Sequence, residues 1–249
     1  MFPYRDENET QRPAYVTVGI IAACVLIWVF VQGAGMGEKL DESVCNLGLI
    51  PGELTMRAPA GAGFHMGDKI CVTDPGRQYS NILTSMFLHG GWMHLLGNMW
   101  FLWLFGNNIE DSMTRPRFVL FYLLCGLAAA MFQVFSQPSS IIPMVGASGA
   151  ISGVMGAYLI LYPKVRVLTF VPLGFFATSM ALPAWVMLVY WMALQLLGGF
   201  TQTGGEGGVA FWAHVGGFLA GVVLIKLFER PDHVAARMSH WRPQRMGWE

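Results

Sequence analysis

The chain of 249 residues is 54% hydrophobic and only 12% charged, with a mean hydropathy of +0.49. Because an average soluble domain carries roughly 25% charged residues, this composition excludes an ordinary soluble domain and indicates a membrane protein. The formal net charge of +0 gives no reason to expect a nucleic-acid partner. The charges are also segregated, and four long stretches contain no Asp, Glu, Lys or Arg: 78–109, 118–163, 167–205 and 207–225. Runs of that length are typical of segments that span a lipid bilayer.

The apolar runs predict an all-α fold, a polytopic membrane bundle of six transmembrane helices that occupies residues 15–228. A polar segment, 1–14, precedes the bundle, and a basic tail, 229–249, follows it. The apolar region 167–182 is interrupted by proline and glycine, so it could lie at the membrane interface or belong to a span. We number the helices as spans 1 to 6, with expected ranges of about 15–31, 84–107, 118–135, 148–162, 183–198 and 209–228.

Span 1 is longer than the apolar region of a cleaved signal peptide, which has roughly 7–15 residues, so we expect it to be retained. The first loop, 35–80, is rich in Gly and Pro and is too long for a passive connection. We therefore expect it to contain short helices that lie at the membrane interface.

The distribution of basic residues predicts the orientation of the bundle. Lys and Arg occur before span 1, between spans 2 and 3, between spans 4 and 5, and after span 6, whereas the loops after spans 3 and 5 have none. We therefore expect a multi-pass protein of the cell membrane with both termini in the cytoplasm and loop 35–80 outside. That loop carries four basic residues and counts against this orientation, but long loops translocate with less regard to charge.

The start of span 4 reads Gly146-Ala147-Ser148-Gly149, which places a serine hydroxyl where an uncharged loop becomes an apolar helix. In the expected topology, spans 2, 4 and 6 all run from the outside inward. Ser148, His214 of span 6, and the pair His94 and Asn98 of span 2 then lie at one depth. Each residue alone could be structural, through a bond to its own helix or to a neighbouring one. Their agreement in depth favours a functional site.

Small residues recur every four positions on spans 4 and 6. Such faces let two backbones approach closely, either within one chain or as a dimerisation seam. If the two faces dock with Gly149 level with Ala213, the adjacent Ser148 and His214 lie at one height. The two series are Gly149, Gly153 and Ala157, and Ala213, Gly217 and Gly221.

Ser148 could act in acyl transfer only with a base, because a serine hydroxyl is a weak nucleophile until its proton is removed. His214 is the nearest candidate, and apolar surroundings favour its neutral, proton-accepting form. Asn98 and His94, one helical turn apart, and the backbone N–H of Ser148 could donate to the developing oxyanion. We find no acid that could complete a triad, so we predict a Ser-His dyad.

His89, near the start of span 2, is expected to brace the first loop rather than to react. A metal site is disfavoured, because His89 and His94 are five residues apart and do not align two ligands on one helix face. We expect neither a metal nor a cofactor, and we expect His65 to be a solvated loop residue.

These motifs resemble those of the rhomboid family of intramembrane serine proteases. His89, His94 and Asn98 match its His-x4-His-x3-Asn pattern. Gly146-Ala147-Ser148-Gly149 matches its Gly-x-Ser-Gly motif, and Ala213-His214-x2-Gly217-x3-Gly221 matches the signature of its sixth helix. The combination is far more specific than any one motif.

The resemblance covers about residues 80–228. It implies Ser148 as the nucleophile and His214 as the base, with an oxyanion site made of His94, Asn98 and the Ser148 N–H. It also implies that the substrates are transmembrane helices of other proteins, cut near or within the bilayer. The family resemblance further implies a mobile gate near span 5 and the loop that follows it, here 199–208.

Two positions depart from the pattern of many family members. Ser80-Asn81 stands where they have a Trp-Arg pair in the first loop. Ser152 stands where they have an aromatic residue that stacks on the catalytic histidine, and this departure predicts a differently oriented or more mobile His214. Cys45 and Cys71 share the first loop, where both could be oxidised. We hypothesise that they form a disulfide that stiffens this loop.

The main alternative function is a catalytically inactive rhomboid-like protein that binds transmembrane client helices. Such a protein would keep the fold but would more often have lost Ser148 or His214, and both are present. A transporter is disfavoured, because the sequence has no evident internal repeat or membrane-embedded charge.

Overall fold

A computed structural model of the chain describes residues 1–59, 61–66, 69–74, 76–173, 176–201 and 208–240. The α-helices are α1 (Tyr15–Phe30), α2 (Glu38–Leu47), α3 (Pro51–Leu54), α4 (Asn81–Thr84), α5 (Trp92–Phe101), α6 (Asn107–Asp111), α7 (Arg115–Ser136), α8 (Ser148–Leu161), α9 (Ala184–Thr201), α10 (Phe211–Phe228) and α11 (Pro231–His240). A π-helical segment, Leu102–Gly106, joins α5 to α6. The strands are β1 (Phe2–Asp6), β2 (Gly63–Met66), β3 (Lys69–Val72), β4 (Arg166–Leu173) and β5 (Phe176–Pro183).

Each predicted span has a helical counterpart, and span 2 differs most from its expected range. Its helix begins at Trp92 rather than near residue 84, because Leu88 has extended backbone angles and separates it from a short preceding helix. The adjoining pair Gly90-Gly91 also disfavours helix. From Trp92 the chain stays helical to Asp111, through α5, the π segment and α6. His94 and Asn98 are therefore on the first two turns of this helix.

In the described part of the chain, three helices are long and apolar enough to cross a membrane: α7, α9 and α10. Two further apolar helices, α1 and α8, are shorter, with 16 and 14 residues. Large apolar side chains on the outer surface of the bundle are exposed, for example Phe135 of α7 and Phe200 of α9. Such surfaces suit contact with lipid. The number of spans remains a prediction.

The described residues are mostly helical, as predicted, but they also form two small antiparallel sheets that the all-α prediction did not include. The described residues of the region 167–182 lie in strands β4 and β5, and β1 from the polar N-terminal segment adds a third strand beside β4. The residues of β4 are mainly branched and apolar, a composition that favours a strand. The first loop contains the short helices α2 and α3, as expected, and also the β2–β3 hairpin.

The centre of the bundle is α8, which packs against α7 and α10 and is almost wholly buried. The small faces of α8 and α10 meet within one chain. A Cβ atom at Gly217 would overlap the carbonyl oxygen of Gly149, and one at Gly221 would overlap that of Gly153. The matching order of these contacts shows that α8 and α10 run parallel. Their first turns, which carry Ser148 and His214, are therefore side by side.

At the opposite end of the bundle, acidic side chains of α6 hold the start of α1. The carboxylate of Glu110 accepts the backbone N–H groups of Val16 at 3.0 Å and Thr17 at 2.8 Å, so it satisfies two of the free donors at this helix start. Asp111 forms an ion pair with Arg12 at 2.8 Å. These two acids stabilise the start of α1, at the end of the bundle away from Ser148.

Candidate active site

Ser148 and His214 are brought together by the parallel packing of α8 and α10. The hydroxyl of Ser148, the first residue of α8, lies 2.7 Å from Nε2 of His214, in the first turn of α10. The histidine is 9% exposed. The distance is within the range of a hydrogen bond between a hydroxyl and a ring nitrogen.

Gln195 of α9 bonds the other nitrogen of the same ring. Its Oε1 lies 2.7 Å from Nδ1 of His214. Because a carboxamide oxygen only accepts, Nδ1 carries the ring hydrogen and Nε2 is left to accept the Ser148 hydroxyl proton. The sequence analysis missed Gln195, although it is the one carboxamide in the predicted span 5, about 183–198, and was a signal for an interior polar contact.

The ring of His214 also has an aromatic neighbour. The indole of Trp191 on α9 lies 5.7 Å from it between centroids, with 39° between the planes. Ser152 is turned away and donates to the Ser148 carbonyl at 2.6 Å. The aromatic contact to His214 in this structure therefore comes from Trp191 rather than from position 152, and a more mobile His214 stays a prediction.

His94 and Asn98 line the same cavity as Ser148. Nδ1 of His94 accepts the backbone N–H of Gly90 at 3.2 Å, so the hydrogen of the neutral ring is on Nε2, which can donate to a ligand. The amide nitrogen of Asn98 donates to the His94 carbonyl at 2.9 Å, and it has a second hydrogen. Both side chains thus have a donor for a substrate.

Gly146 leaves space between His94 and the serine. Its φ of +130° lies in a region that suits glycine, and its N–H donates to the Ser85 carbonyl at 2.8 Å. A Cβ atom here would lie 2.8 Å from Nε2 of His94 and 3.4 Å from Oγ of Ser148. The missing side chain therefore leaves room beside both atoms, where a substrate carbonyl oxygen could fit.

A cavity of about 700 Å³ connects these groups. Its lining includes Met155 and Trp191 together with Phe64 and His65 of the β2–β3 hairpin. The expectation that His65 is simply solvated is incomplete, since this exposed residue also lines the cavity. Within the described ranges, no three His, Cys, Asp or Glu side chains are grouped as metal ligands.

Residues 76–231 match the Rhomboid domain, which covers more than half of the chain. This chain belongs to the rhomboid family. Because the chain belongs to this family and has long apolar helices, it is a membrane-embedded protein.

Among its relatives, "Rhomboid protein 1, mitochondrial" of Saccharomyces cerevisiae is 31% identical over 150 residues, which is 57% of this rhomboid chain and 40% of the relative. "Putative rhomboid protease YdcA" of Bacillus subtilis is 34% identical over 82 residues, 33% of the chain and 41% of the relative. "Rhomboid protease GluP" of the same organism is 37% identical over 82 residues, 33% of the chain and 16% of the relative. The matches thus span less than half the length of each of these proteins.

The first loop of this rhomboid protein is anchored without a Trp-Arg pair. The Asn81 side chain is buried and donates to the carbonyls of Asn46 at 3.1 Å and Gly48 at 3.0 Å. His89 is buried beside the His94 ring, at 5.3 Å between centroids, and its backbone exchanges two 2.8 Å hydrogen bonds with the Gln32 side chain. Position 89 therefore contacts the segment that follows α1 through its backbone, whereas its ring nitrogens have no hydrogen-bond partner among the described residues.

The hairpin over the cavity is covalently attached to α2 in the structure. Cys45 and Cys71 are joined as a disulfide, with Cα atoms 5.3 Å apart. Cys71 is paired with Phe64 across the hairpin. The disulfide therefore holds the strands that carry Phe64 and His65, which line the same cavity as Ser148 and His214. The proposed gate loop falls largely on 202–207, and the end of the tail on 241–249, both outside the described residues.

Proposed function

We propose that this rhomboid protein is an intramembrane serine endopeptidase that cleaves transmembrane segments of membrane proteins. The observation that carries the proposal is the 2.7 Å contact between the Ser148 hydroxyl and Nε2 of His214 beside a cavity in an apolar bundle. The names of two relatives as rhomboid proteases support the same reaction class. Localisation in the cell membrane with cytoplasmic termini is part of the proposal.

In the proposed reaction, Oγ of Ser148 attacks the scissile carbonyl while Nε2 of His214 takes the hydroxyl proton. The tetrahedral intermediate collapses to an acyl-enzyme, and His214 returns the proton to the departing amine. A water molecule then attacks the ester, again with its proton passing to His214. Proton return to Oγ releases the new carboxyl end and restores the serine.

The negative charge on the carbonyl oxygen would be stabilised by donors around Gly146. Nε2–H of His94, the second amide hydrogen of Asn98 and the backbone N–H of Ser148 are the candidates. Removing one such donor typically raises the barrier by about 3 kcal/mol. Among the described residues no carboxylate is hydrogen-bonded to His214, so the ring of this proposed dyad would be oriented without an ionised partner.

The substrate would reach the serine as a locally unwound helix. A helical segment has its carbonyl groups bonded within the helix, so the scissile bond must leave the helix before attack. Gly or Pro near the cleavage site would lower the free energy of unwinding. We therefore expect preferred substrates to carry such residues within or near their membrane span.

The first test is labelling of the detergent-solubilised protein with a fluorophosphonate, which reacts with activated serines. We expect wild type to be labelled, and Ser148→Ala and His214→Ala to lose labelling by about a thousand-fold or more, because neither can form an activated alkoxide at position 148. Ser136→Ala is a matched control, since the Ser136 hydroxyl on α7 only donates to the Phe132 carbonyl within its own helix. It should be labelled like wild type.

An unlabelled wild type that is folded and accessible to the probe would contradict the proposal. In that case, the protein would be better described as a client-binding rhomboid. Co-purification of intact transmembrane helices would then be the property to measure.

A further inference from the structure

We propose that Gln195 of α9 is a positioning residue that fixes the tautomer and orientation of His214. This inference rests on the proposed function, because orienting the ring matters for catalysis only if His214 is the base. It goes beyond a dyad, since it adds a third group from a different helix. A carboxamide would then do part of the orienting that an aspartate does in a soluble triad.

The carboxamide of Gln195 is itself held in a defined orientation. Its residue is 8% exposed, and its Nε2 donates to the Trp191 carbonyl, one turn earlier on α9, at 3.4 Å. With the nitrogen turned toward its own helix, the oxygen faces Nδ1 of His214 at 2.7 Å. Only one neutral tautomer of His214 satisfies both this bond and the bond to Ser148.

Trp191 and Gln195 are four residues apart and lie on one face of α9. Trp191 packs against the His214 ring and Gln195 bonds its Nδ1, so a single helix supplies both contacts to the base. The ring would otherwise be free to turn about its side-chain torsions. Losing the acceptor would allow tautomers and rotamers in which Nε2 no longer accepts the serine proton.

The helix that supplies these contacts is the least embedded of the three long apolar helices. In its most apolar 18-residue stretch, 28% of residues are buried, against 50% for α7 and 44% for α10. A displacement of α9 from α10 would break the Gln195 bond and the Trp191 contact together. The position of α9 would therefore set whether the base is correctly oriented.

A neutral acceptor orients the ring but stabilises its charged form less than a carboxylate would. Replacement by a carboxylate should keep the orientation and add stabilisation of the imidazolium. Among the residues that the structure describes, the other titratable side chains that line this cavity are His94 and His65, and both remain in the variants below. A change in pH profile on altering position 195 would thus report on contact with His214.

The experiment measures the rate of fluorophosphonate labelling against pH for wild type, Gln195→Met, Gln195→Glu and Leu197→Ala. Gln195→Met keeps a side chain of similar size without an acceptor, and we expect labelling at least about ten-fold slower. Gln195→Glu should recover most of the rate, with the acid limb of its profile moved to higher pH by about one unit or more. Leu197→Ala, an exposed position on the same helix, should behave like wild type.

Folding of each variant is checked by its thermal unfolding midpoint in the same detergent. If Gln195→Met unfolds early, the pH profile of Gln195→Glu alone decides the inference. Two results would overturn the inference if wild type is labelled: a normal labelling rate in folded Gln195→Met, or an unshifted pH profile in Gln195→Glu. Either result would leave the proposed function intact. Absence of wild-type labelling would instead contradict both the inference and the proposed function.

Discussion

At the scale of single residues, the contact of α8 with α10 allows no side chain at Gly217 or Gly221. Each glycine lies directly against a backbone carbonyl of α8, so a Cβ atom could be accommodated only by moving the helices apart. The same contact sets the distance between Ser148 and His214. A methyl group added there should therefore affect stability and the candidate site together.

We predict that Gly221→Ala lowers the free energy of unfolding by about 1–3 kcal/mol, as overpacking of a tight contact does. It should also slow fluorophosphonate labelling, because α10 carries His214. Gly19→Ala is the matched control, since a Cβ atom there has no neighbour within 4 Å and alanine suits a helix better than glycine. Thermal unfolding in detergent compares the two, and equal midpoints would contradict the close packing.

The sequence predicted the nearness of Ser148 and His214 because each lies beside a run of small residues that could dock. It did not predict Gln195 or Trp191, since the small-residue pattern says nothing about which face of α9 meets α10. Nor could it show that Trp191 supplies the aromatic contact that Ser152 cannot make. Lateral contacts of this kind depend on helix rotation, which hydropathy along an all-apolar helix does not define.

At the scale of elements, the β2–β3 hairpin lines the cavity through Phe64 and His65 and is joined to α2 by the Cys45–Cys71 disulfide. We predict that alkylation of the denatured, unreduced protein modifies only Cys24 and Cys125, and that all four cysteines react after reduction. Intact-protein mass spectrometry measures the number of added groups. Four additions without reductant would contradict the disulfide.

The same disulfide closes a loop with a sequence separation of 26 residues, so reduction should remove about 3 kcal/mol of stabilisation on the loop-entropy model. The loss should be confined to the first loop, because Asn81 and Gln32 anchor its ends independently through hydrogen bonds. The sequence predicted the disulfide because Cys45 and Cys71 lie in the same loop. It did not predict the β2–β3 hairpin, because strands of only four residues leave no clear pattern.

The β4–β5 hairpin was the least predictable element of the framework. Its residues are apolar enough for a membrane helix, and only the interruptions at Pro172, Gly174 and Pro183 argued against one. Its pairing with β1 depends on contacts between distant parts of the chain, which local pattern does not contain. Local patterns were more informative for α7 and α10, whose apolar runs are long and uninterrupted.

At the scale of the whole molecule, the charges predict how the bundle is oriented. We expect a cysteine introduced at Glu9→Cys to react with a membrane-impermeant maleimide only after permeabilisation of cells, because the positive charges favour a cytoplasmic N-terminus. Ser139→Cys, in the uncharged loop between α7 and α8, should react in intact cells. The two variants control for each other, and the reverse pattern would show an inverted bundle.

The three-stranded sheet has a consequence for the order of assembly during synthesis. β1 is synthesised well before its partner β4, which is made only after α8, and Phe2 lies opposite Phe170 in the finished sheet. The nascent strand must therefore wait, unpaired, while most of the bundle is inserted. The charged residues Arg5, Asp6 and Glu7 suit this interval, because charges on an open strand edge discourage premature pairing with other chains. The sheet then closes late, once the growing polypeptide has returned to the side where it began.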